Sequence, residues 1–295
     1  MNSKRRSHFE LLEGRELMAG DVLVAVNAGN IKMTGDALAN EIAIVDLGGG
    51  KITVTGQPGT TVNGLTGAQT FNGVTGSLLA NLRDGADQVQ FLGNAGHELS
   101  SIQISTGGGD DTVSVDKVFA REVSIGTGAG NDTVNIMEVT AKSVSVETGA
   151  GDDTVVVGST LATRHDVLIK VREFEIETGD GKDKVSILDA VLQTREFEVN
   201  TGLGDDIVKV NDVQAQGEVE IETGMGQDSV SIVDSTFVKL AVDLGAGDGD
   251  SLAISNTKSI RTRLDGGLGA NDSLKITSST LGTLSQTGFE PVGLG

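Results

Sequence analysis

The sequence lacks cysteine, tryptophan and tyrosine, and it contains only 2 proline and 8 phenylalanine residues among 295. Without cysteine the chain forms no disulfide, has no thiol nucleophile and binds no zinc or iron–sulfur cluster through sulfur. Positive charge is also scarce, because 22 Lys and Arg face 42 Asp and Glu, for a net charge of −20. This charge argues against a nucleic-acid partner, whose phosphates require basic side chains. No apolar run approaches the ~18 residues of a membrane-spanning helix, so no membrane insertion is expected.

Glycine is abundant, with 42 residues, and much of it lies in a repeated turn. The fragments ISTGGGDDTVSV, IGTGAGNDTVNI and VETGAGDDTVVV share the form apolar-x-T-G-x-G-x-D-x-apolar-x-apolar. From Asp87 onwards, the aspartates of successive copies lie 24, 21, 21, 30, 23, 22, 22 and 22 residues apart. A period near 22 residues, sustained over nine copies, is typical of a stacked repeat architecture.

The residues between the turns alternate between apolar and polar types. Val113 and Val115 follow one turn, and Val123 and Ile125 precede the next. This period of two, rich in β-branched residues, predicts half-buried strands. One unit is too short for an independent strand–helix–strand crossover. We therefore expect an all-β, single-domain, right-handed parallel β-helix (a β-solenoid), with two or three short strands in each coil of ~22 residues.

The repeat also predicts how the chain is divided. We expect an export-associated N-terminal segment at 1–21, an N-terminal cap with irregular first coils at 22–80, the regular solenoid at 81–280, and a C-terminal cap or disordered tail at 281–295. The single long interval between aspartates places an insertion at 163–172, which we interpret as a loop bulging from its coil. Phe174 and Phe197 occupy equivalent positions in two near-duplicate coils. We expect their rings to stack inside the solenoid.

The TGxGxD turn resembles the calcium-binding nonapeptide G-G-x-G-x-D-x-apolar-x of haemolysin-type (RTX) repeats, with Thr in place of the first Gly. In that family the turns of adjacent coils hold Ca²⁺ through aspartate carboxylates and backbone carbonyls. The resemblance implies Ca²⁺ as a bound ion here. By position, the implied ligands are Asp110, Asp111, Asn131, Asp132, Asp152, Asp153, Asp183, Asp205, Asp206, Asp228, Asp250 and Asp272. Each coil here carries one such motif, however, whereas an RTX coil carries two.

Electrostatic repulsion between the turn aspartates is a second reason to consider a bound cation there. Ionised aspartates stacked ~4.8 Å apart would repel one another by roughly 1 kcal/mol per pair even in water. Turns rich in oxygen and glycine suit a hard cation such as Ca²⁺. The alternative is that each aspartate caps its own turn by accepting backbone N–H bonds. Lys182, next to Asp183, favours that alternative, because its ammonium group would repel a cation. The threonines of the turn predict a hydrogen-bonded ladder along the stack.

The N-terminus carries a second resemblance. Residues 12–18, LEGRELM, resemble the LEPR-x-L-L motif that opens many large bacterial repeat proteins associated with export or the cell surface, with Gly14 replacing Pro and Met18 replacing the last Leu. The segment lacks the 7–15-residue apolar core of an ordinary signal peptide. Together the two resemblances imply a bacterial extracellular or cell-surface repeat protein. Its expected partners are calcium ions and extracellular matrix, polysaccharide or other surface proteins.

Acidic residues just before the turns raise an enzymatic alternative. They predict two outward columns, which comprise Glu147, Glu177 and Glu222, and, two residues earlier, Glu175, Glu198 and Glu220. Paired carboxylates serve glycoside cleavage, so the alternative is a β-helix polysaccharide lyase or hydrolase acting at Glu175 and Glu177. His165, in the insertion, is the histidine we would test. Because the carboxylates repeat without a unique pair, we favour a non-catalytic scaffold or adhesion module and assign no catalytic residue.

Overall fold

The computed structural model describes residues 20–159 and 167–290, and every regular element within them is a β-strand. The strands are β1 Gly20–Asn27, β2 Asn30–Thr34, β3 Glu41–Gly48, β4 Lys51–Gly56, β5 Thr60–Val62, β6 Gly67–Asn72, β7 Leu78–Asn81, β8 Gln88–Leu92, β9 Leu99–Gly108, β10 Thr112–Asp116, β11 Val118–Ala129, β12 Thr133–Ile136, β13 Val139–Ala150, β14 Thr154–Gly158, β15 Val167–Asp180, β16 Lys184–Leu192, β17 Glu196–Asn200, β18 Ile207–Glu222, β19 Ser229–Val233, β20 Thr236–Asp243, β21 Ser251–Ser255, β22 Lys258–Asp265, β23 Ser273–Thr277, β24 Thr280–Leu281 and β25 Leu284–Thr287. Within the described residues no helix is long and apolar enough to span a membrane.

Strands of successive coils pair in parallel and in register. Val113 of β10 pairs with Val134 of β12, which in turn pairs with Val155 of β14, so each step along the stack is one sequence repeat. The coils form a solenoid of about nine turns. This confirms the predicted all-β parallel solenoid, in which each coil provides the backbone partners of the next.

Each regular coil contributes to three parallel sheets. In one coil, residues 112–116 follow the glycine turn and lie in sheet 1, residues 118–120 lie in the short sheet 2, and residues 122–127 lie in sheet 3 and lead into the next turn. At the corner between sheets 1 and 2, φ is positive in several coils and is 55° at Lys117. Later coils place Asp212, Asp234 and Asn256 at this corner with φ between 47° and 54°. Short polar side chains tolerate this left-handed conformation better than most.

The apolar residues of all three sheets point into one continuous core. Val113, Val115, Val123 and Ile125 are at most 3% exposed, while the residues between them face outwards. The predicted alternation is therefore the inside–outside pattern of a strand with one buried face. Because every coil packs on the next, the core is assembled from contacts between neighbouring repeats.

Phe174 and Phe197 stack as predicted, with ring centroids 4.8 Å apart and ring planes tilted by 53°. Both side chains are buried within sheet 3. We expect Phe197→Leu to lower the free energy of unfolding by ~1–2 kcal/mol, because the ring contact and part of the packing are lost. Urea unfolding measures this loss. A Phe197→Leu protein as stable as the parent would contradict the importance of the pair.

The two ends of the solenoid differ. At the N-terminal end β1 pairs with β2, and β4 pairs with both β3 and β6, all antiparallel. Ile52 and Val54 of β4 are fully buried, so these strands cover the end of the core. At the C-terminal end β24 and β25 continue the coil by pairing with β22. β25 lies within the segment predicted as a cap or disordered tail.

Candidate functional site: the aspartate ladder

The TGxGxD turns stack so closely that glycine is required at two positions. Gly128 and Gly130 have φ values of 103° and 138°, a region that residues with a Cβ rarely adopt. A Cβ on Gly128 would lie 1.9 Å from the carbonyl oxygen of Gly107, and one on Gly130 would lie 2.1 Å from that of Gly109. The glycines therefore allow the turn backbones to approach one another, and they bring one aspartate of each coil into line.

The motif aspartates form a buried column that we call the aspartate ladder. The backbone N–H of Asp111 donates to Oδ1 of Asp132 at 2.8 Å, and that of Asp132 donates to Oδ1 of Asp153 at 2.7 Å. Each of these three residues is at most 2% exposed. The ladder comprises Asp87, Asp111, Asp132, Asp153, Asp183, Asp206, Asp228, Asp250 and Asp272. Each carboxylate thus caps the preceding coil, and not its own turn as the alternative interpretation held.

Both ends of the ladder are closed by residues outside the repeat motif. The backbone N–H of Asn40 donates to Oδ1 of Asp87 at 2.7 Å. At the other end, the carboxylate of Glu290 accepts from the backbone N–H of Asp272, in the place where another coil would supply its aspartate. Neither residue has a periodic sequence signal, so the sequence did not identify them.

The second oxygen (Oδ2) of each ladder carboxylate lacks the hydrogen bond that Oδ1 accepts. In the described part of the chain, every Oδ2 atom from Asp87 to Asp272 is buried and has no hydrogen-bond partner. Burial raises the pKa of Asp87 to about 7 and the pKa values of Asp153 and Asp228 to about 6. It also raises the pKa values of Asp111, Asp132, Asp183, Asp206 and Asp250. Burial of a carboxylate oxygen without a hydrogen-bond donor favours the protonated form of the group or a cation beside it.

The turn threonines form the predicted ladder next to the aspartates. The Thr106 hydroxyl donates to the carbonyl oxygen of Thr127, and the Thr127 hydroxyl donates to that of Thr148, each at 3.3 Å. The series continues through Thr148, Thr178, Thr201 and Thr223. These hydroxyls also lie beside the carboxylates and lower the pKa values of Asp111, Asp132 and Asp153, an effect smaller than that of burial.

The residues preceding the ladder form a separate, exposed column. The backbone N–H of Asn131 donates to Oδ1 of Asp110, and that of Asp152 donates to Oδ1 of Asn131, both at 2.8 Å. Lys182 occupies this column as well, and its Nζ lies 2.6 Å from Oδ2 of Asp205, which it neutralises at the surface. The twelve ligands implied by the resemblance are therefore divided between a buried and an exposed column. Within 20–159 and 167–290, no group of three or more His, Asp or Glu side chains has the geometry of a metal site.

The ladder predicts that stability falls as pH rises from about 4 to about 7. An unfolded aspartate titrates near 3.9, whereas Asp87 has a pKa of about 7 and Asp153 and Asp228 have pKa values of about 6 in the folded state. The folded protein binds more protons across this interval, so the free energy of unfolding decreases as they leave. By calorimetry without divalent ions, we expect Tm to be at least ~5 °C lower at about pH 8 than at about pH 5. An equal or higher Tm at pH 8 would contradict buried, uncompensated carboxylates.

The outward glutamates lie in the predicted columns on sheet 3. Glu147 pairs in register with Glu177, and Glu175 aligns with Glu198 and Glu220. Partial burial, followed by repulsion from neighbouring carboxylates, raises the pKa values of Glu198 and Glu220. Glu175 and Glu177 are exposed. The enzymatic alternative also involves the insertion predicted at 163–172. Residues 163–166 of this insertion, among them His165, lie outside the described residues.

A buried histidine–carboxylate pair is a site that sequence reasoning missed. Nδ1 of His97 lies 2.8 Å from Oδ2 and 2.9 Å from Oδ1 of Asp46, and Oδ1 also accepts the backbone N–H of Gly48. The side chains of His97 and Asp46 are 10% and 2% exposed. The pair joins the loop after β8 to the end of β3, which are 51 residues apart in the sequence, and no motif marks either residue.

The fold and its buried ladder define the chain as a parallel β-solenoid with one unpaired carboxylate oxygen in each repeat. Comparisons with protein-family models, with curated protein sequences and with solved structures find no match. The assignment of function therefore depends on the geometry of the chain itself.

Proposed function

We propose that the chain is a non-catalytic extracellular or cell-surface β-solenoid, a structural scaffold or adhesion module stabilised by calcium along the aspartate ladder. The observation that supports this is the repetition of one buried, unpartnered Oδ2 atom at each step of the ladder. A solenoid carries such a feature along its whole length, as a scaffold needs, whereas catalysis needs one unique constellation.

Calcium would supply the positive charge that the ladder lacks. Ca²⁺ takes six to eight oxygen ligands, so an ion between two coils would need the Oδ2 atoms of successive aspartates together with turn carbonyls or water. In the exposed column, Asp110, Asn131 and Asp152 offer further oxygens close to the surface. An ion that binds only the folded chain adds RT ln(1 + [Ca²⁺]/Kd) to its stability.

Titration calorimetry at about pH 7.5 tests this proposal directly. We expect saturable binding of several Ca²⁺ ions per chain, with much weaker binding of Mg²⁺, which tolerates only tight octahedral sites. Asp153→Asn should reduce the number of ions bound, because it replaces an Oδ2 atom by an amide nitrogen. Identical heats for Ca²⁺ and Mg²⁺, or no binding at millimolar concentration, would contradict a calcium-stabilised ladder.

The enzymatic alternative is tested separately, by incubating the chain with acidic and neutral polysaccharides and measuring chain cleavage. The scaffold proposal predicts no turnover with any of them. Cleavage that is abolished by Glu177→Gln but retained by Glu147→Gln, its neighbour in the same column, would establish a catalytic carboxylate and refute the scaffold proposal.

A further inference from the structure

The N-terminal cap contains two asparagine–glycine pairs in different surroundings. Asn63 and Gly64 directly follow β5, whereas Asn72 is the last residue of β6 and precedes Gly73. Asparagine is among the chemically labile residues, and a following glycine has no Cβ to hinder attack of its backbone nitrogen on the asparagine side chain. Both asparagines are exposed, so access of water does not distinguish the two pairs. Their hydrogen bonds do.

Hydrogen bonds hold the first pair in place. Oδ1 of Asn63 accepts from the backbone N–H of Val24 at 2.8 Å, and Nδ2 of Asn63 donates to the carbonyl oxygen of Val24 at 3.0 Å. The backbone N–H of Gly64 donates to Oδ1 of Asp21 at 2.9 Å, which fixes the direction of this nitrogen. Ring closure would require the carboxamide to leave Val24 and turn towards Gly64, so both bonds with Val24 would have to break first.

The second pair lacks these restraints. Within the described residues, neither the carboxamide of Asn72 nor the backbone N–H of Gly73 has a hydrogen-bond partner. The position that a Cβ would take on Gly73 has no atom within 4 Å, so the space beside this residue is open. The chain is fixed again one residue later, because Val74 is fully buried and its N–H donates to the carbonyl oxygen of Gly50 at 3.0 Å.

We propose that Asn72 is a site of spontaneous deamidation in the N-terminal cap. The backbone nitrogen of Gly73 attacks Cγ of Asn72, the Cγ–Nδ2 bond breaks, and ammonia leaves with the proton of the Gly73 N–H, which gives a succinimide. Water then opens this ring at either carbonyl and yields aspartate or isoaspartate at position 72. Isoaspartate adds a methylene to the backbone between β6 and the buried Val74. We expect this longer backbone to loosen the pairing of β6 with β4.

Peptide mass spectrometry of the full chain, incubated at mildly alkaline pH, tests the proposal. In the folded chain we expect Asn72 to lose its amide at least about tenfold faster than Asn63, because only Asn63 must break hydrogen bonds before it reacts. In concentrated urea those bonds are absent, and the two sites should react at similar rates. Equal rates in the folded chain, faster reaction at Asn63, or reaction of Asn72 in urea alone would overturn the proposal.

Hydrogen exchange measures the effect on the cap. After the same incubation, the amides of β4 and β6 should exchange at least about fivefold faster than in the fresh chain. Asn72→Gln is the matched control, because its longer side chain does not close the five-membered ring and the exposed position tolerates it. Its exchange should stay unchanged. The same acceleration in Asn72→Gln, or no acceleration in a deamidated parent chain, would overturn the proposed loosening of β6.

Discussion

Gly128→Ala should lower the free energy of unfolding by more than ~4 kcal/mol or prevent folding altogether. The new Cβ would lie 1.9 Å from the carbonyl oxygen of Gly107, and φ at this position is 103°. The atom that it meets belongs to the backbone of the preceding coil, so no side-chain rotation relieves the overlap. The steric clash is then added to a backbone strain of ~1–3 kcal/mol, and disruption of one turn separates the coils on either side.

Gly126→Ala is the matched control for this substitution. Gly126 lies in the same strand, two residues earlier, and the nearest atom to a Cβ there is the carbonyl oxygen of Glu147 at 4.0 Å. Its φ does not favour glycine, so alanine should be neutral or slightly stabilising, by up to ~1 kcal/mol. Denaturant unfolding of both variants measures the difference. Equal stabilities would show that the turns do not pack as closely as described.

Asp153→Ala should cost ~2–4 kcal/mol, because it removes the acceptor of the buried Asp132 N–H and leaves a cavity beside the ladder. Asp153→Asn should behave differently. The amide oxygen retains that hydrogen bond, and the neutral side chain no longer needs a proton or a cation. At about pH 8 in EGTA, we therefore expect Asp153→Asn to be at least as stable as the parent, and to respond less to calcium.

Asp152→Ala is the control for position and charge. It removes a carboxylate from the adjacent residue, but this one lies in the exposed column, where such losses are usually small, within about 1 kcal/mol. Urea unfolding of the three variants in EGTA separates the effects, and repeating it with calcium for the two Asp153 variants measures their response to the ion. If Asp152→Ala and Asp153→Ala cost the same, the buried ladder would have no special role in stability.

The sequence predicted the features of the fold that depend on repetition. Coil length follows from the spacing of the aspartates, and strand faces follow from the alternation of residues such as Val113 and Val115. The pairing of Phe174 with Phe197 follows from equivalent positions in successive coils. These inferences succeed because parallel stacking in register places like residue on like residue.

The sequence did not predict features that depend on contacts between different coils or on single residues. It placed the aspartates in the turn, but their burial and their bond to the preceding coil arise from the close approach of the stacked glycines. Asn40 and Glu290 close the ladder from outside the repeat. His97 meets Asp46 only because the chain returns to the N-terminal coils. Such pairings leave no periodic trace in one sequence.

Thermal unfolding of the full chain at about pH 7.5, in EGTA and then in millimolar Ca²⁺ or Mg²⁺, tests the central claim most directly. If calcium compensates the buried carboxylates, saturating Ca²⁺ should raise Tm by at least ~5 °C, and Mg²⁺ should have little effect. The increase should be smaller in Asp132→Ala and Asp153→Ala. The same Tm in EGTA and in Ca²⁺ would contradict the claim and would leave protonation as the means by which the ladder is neutralised.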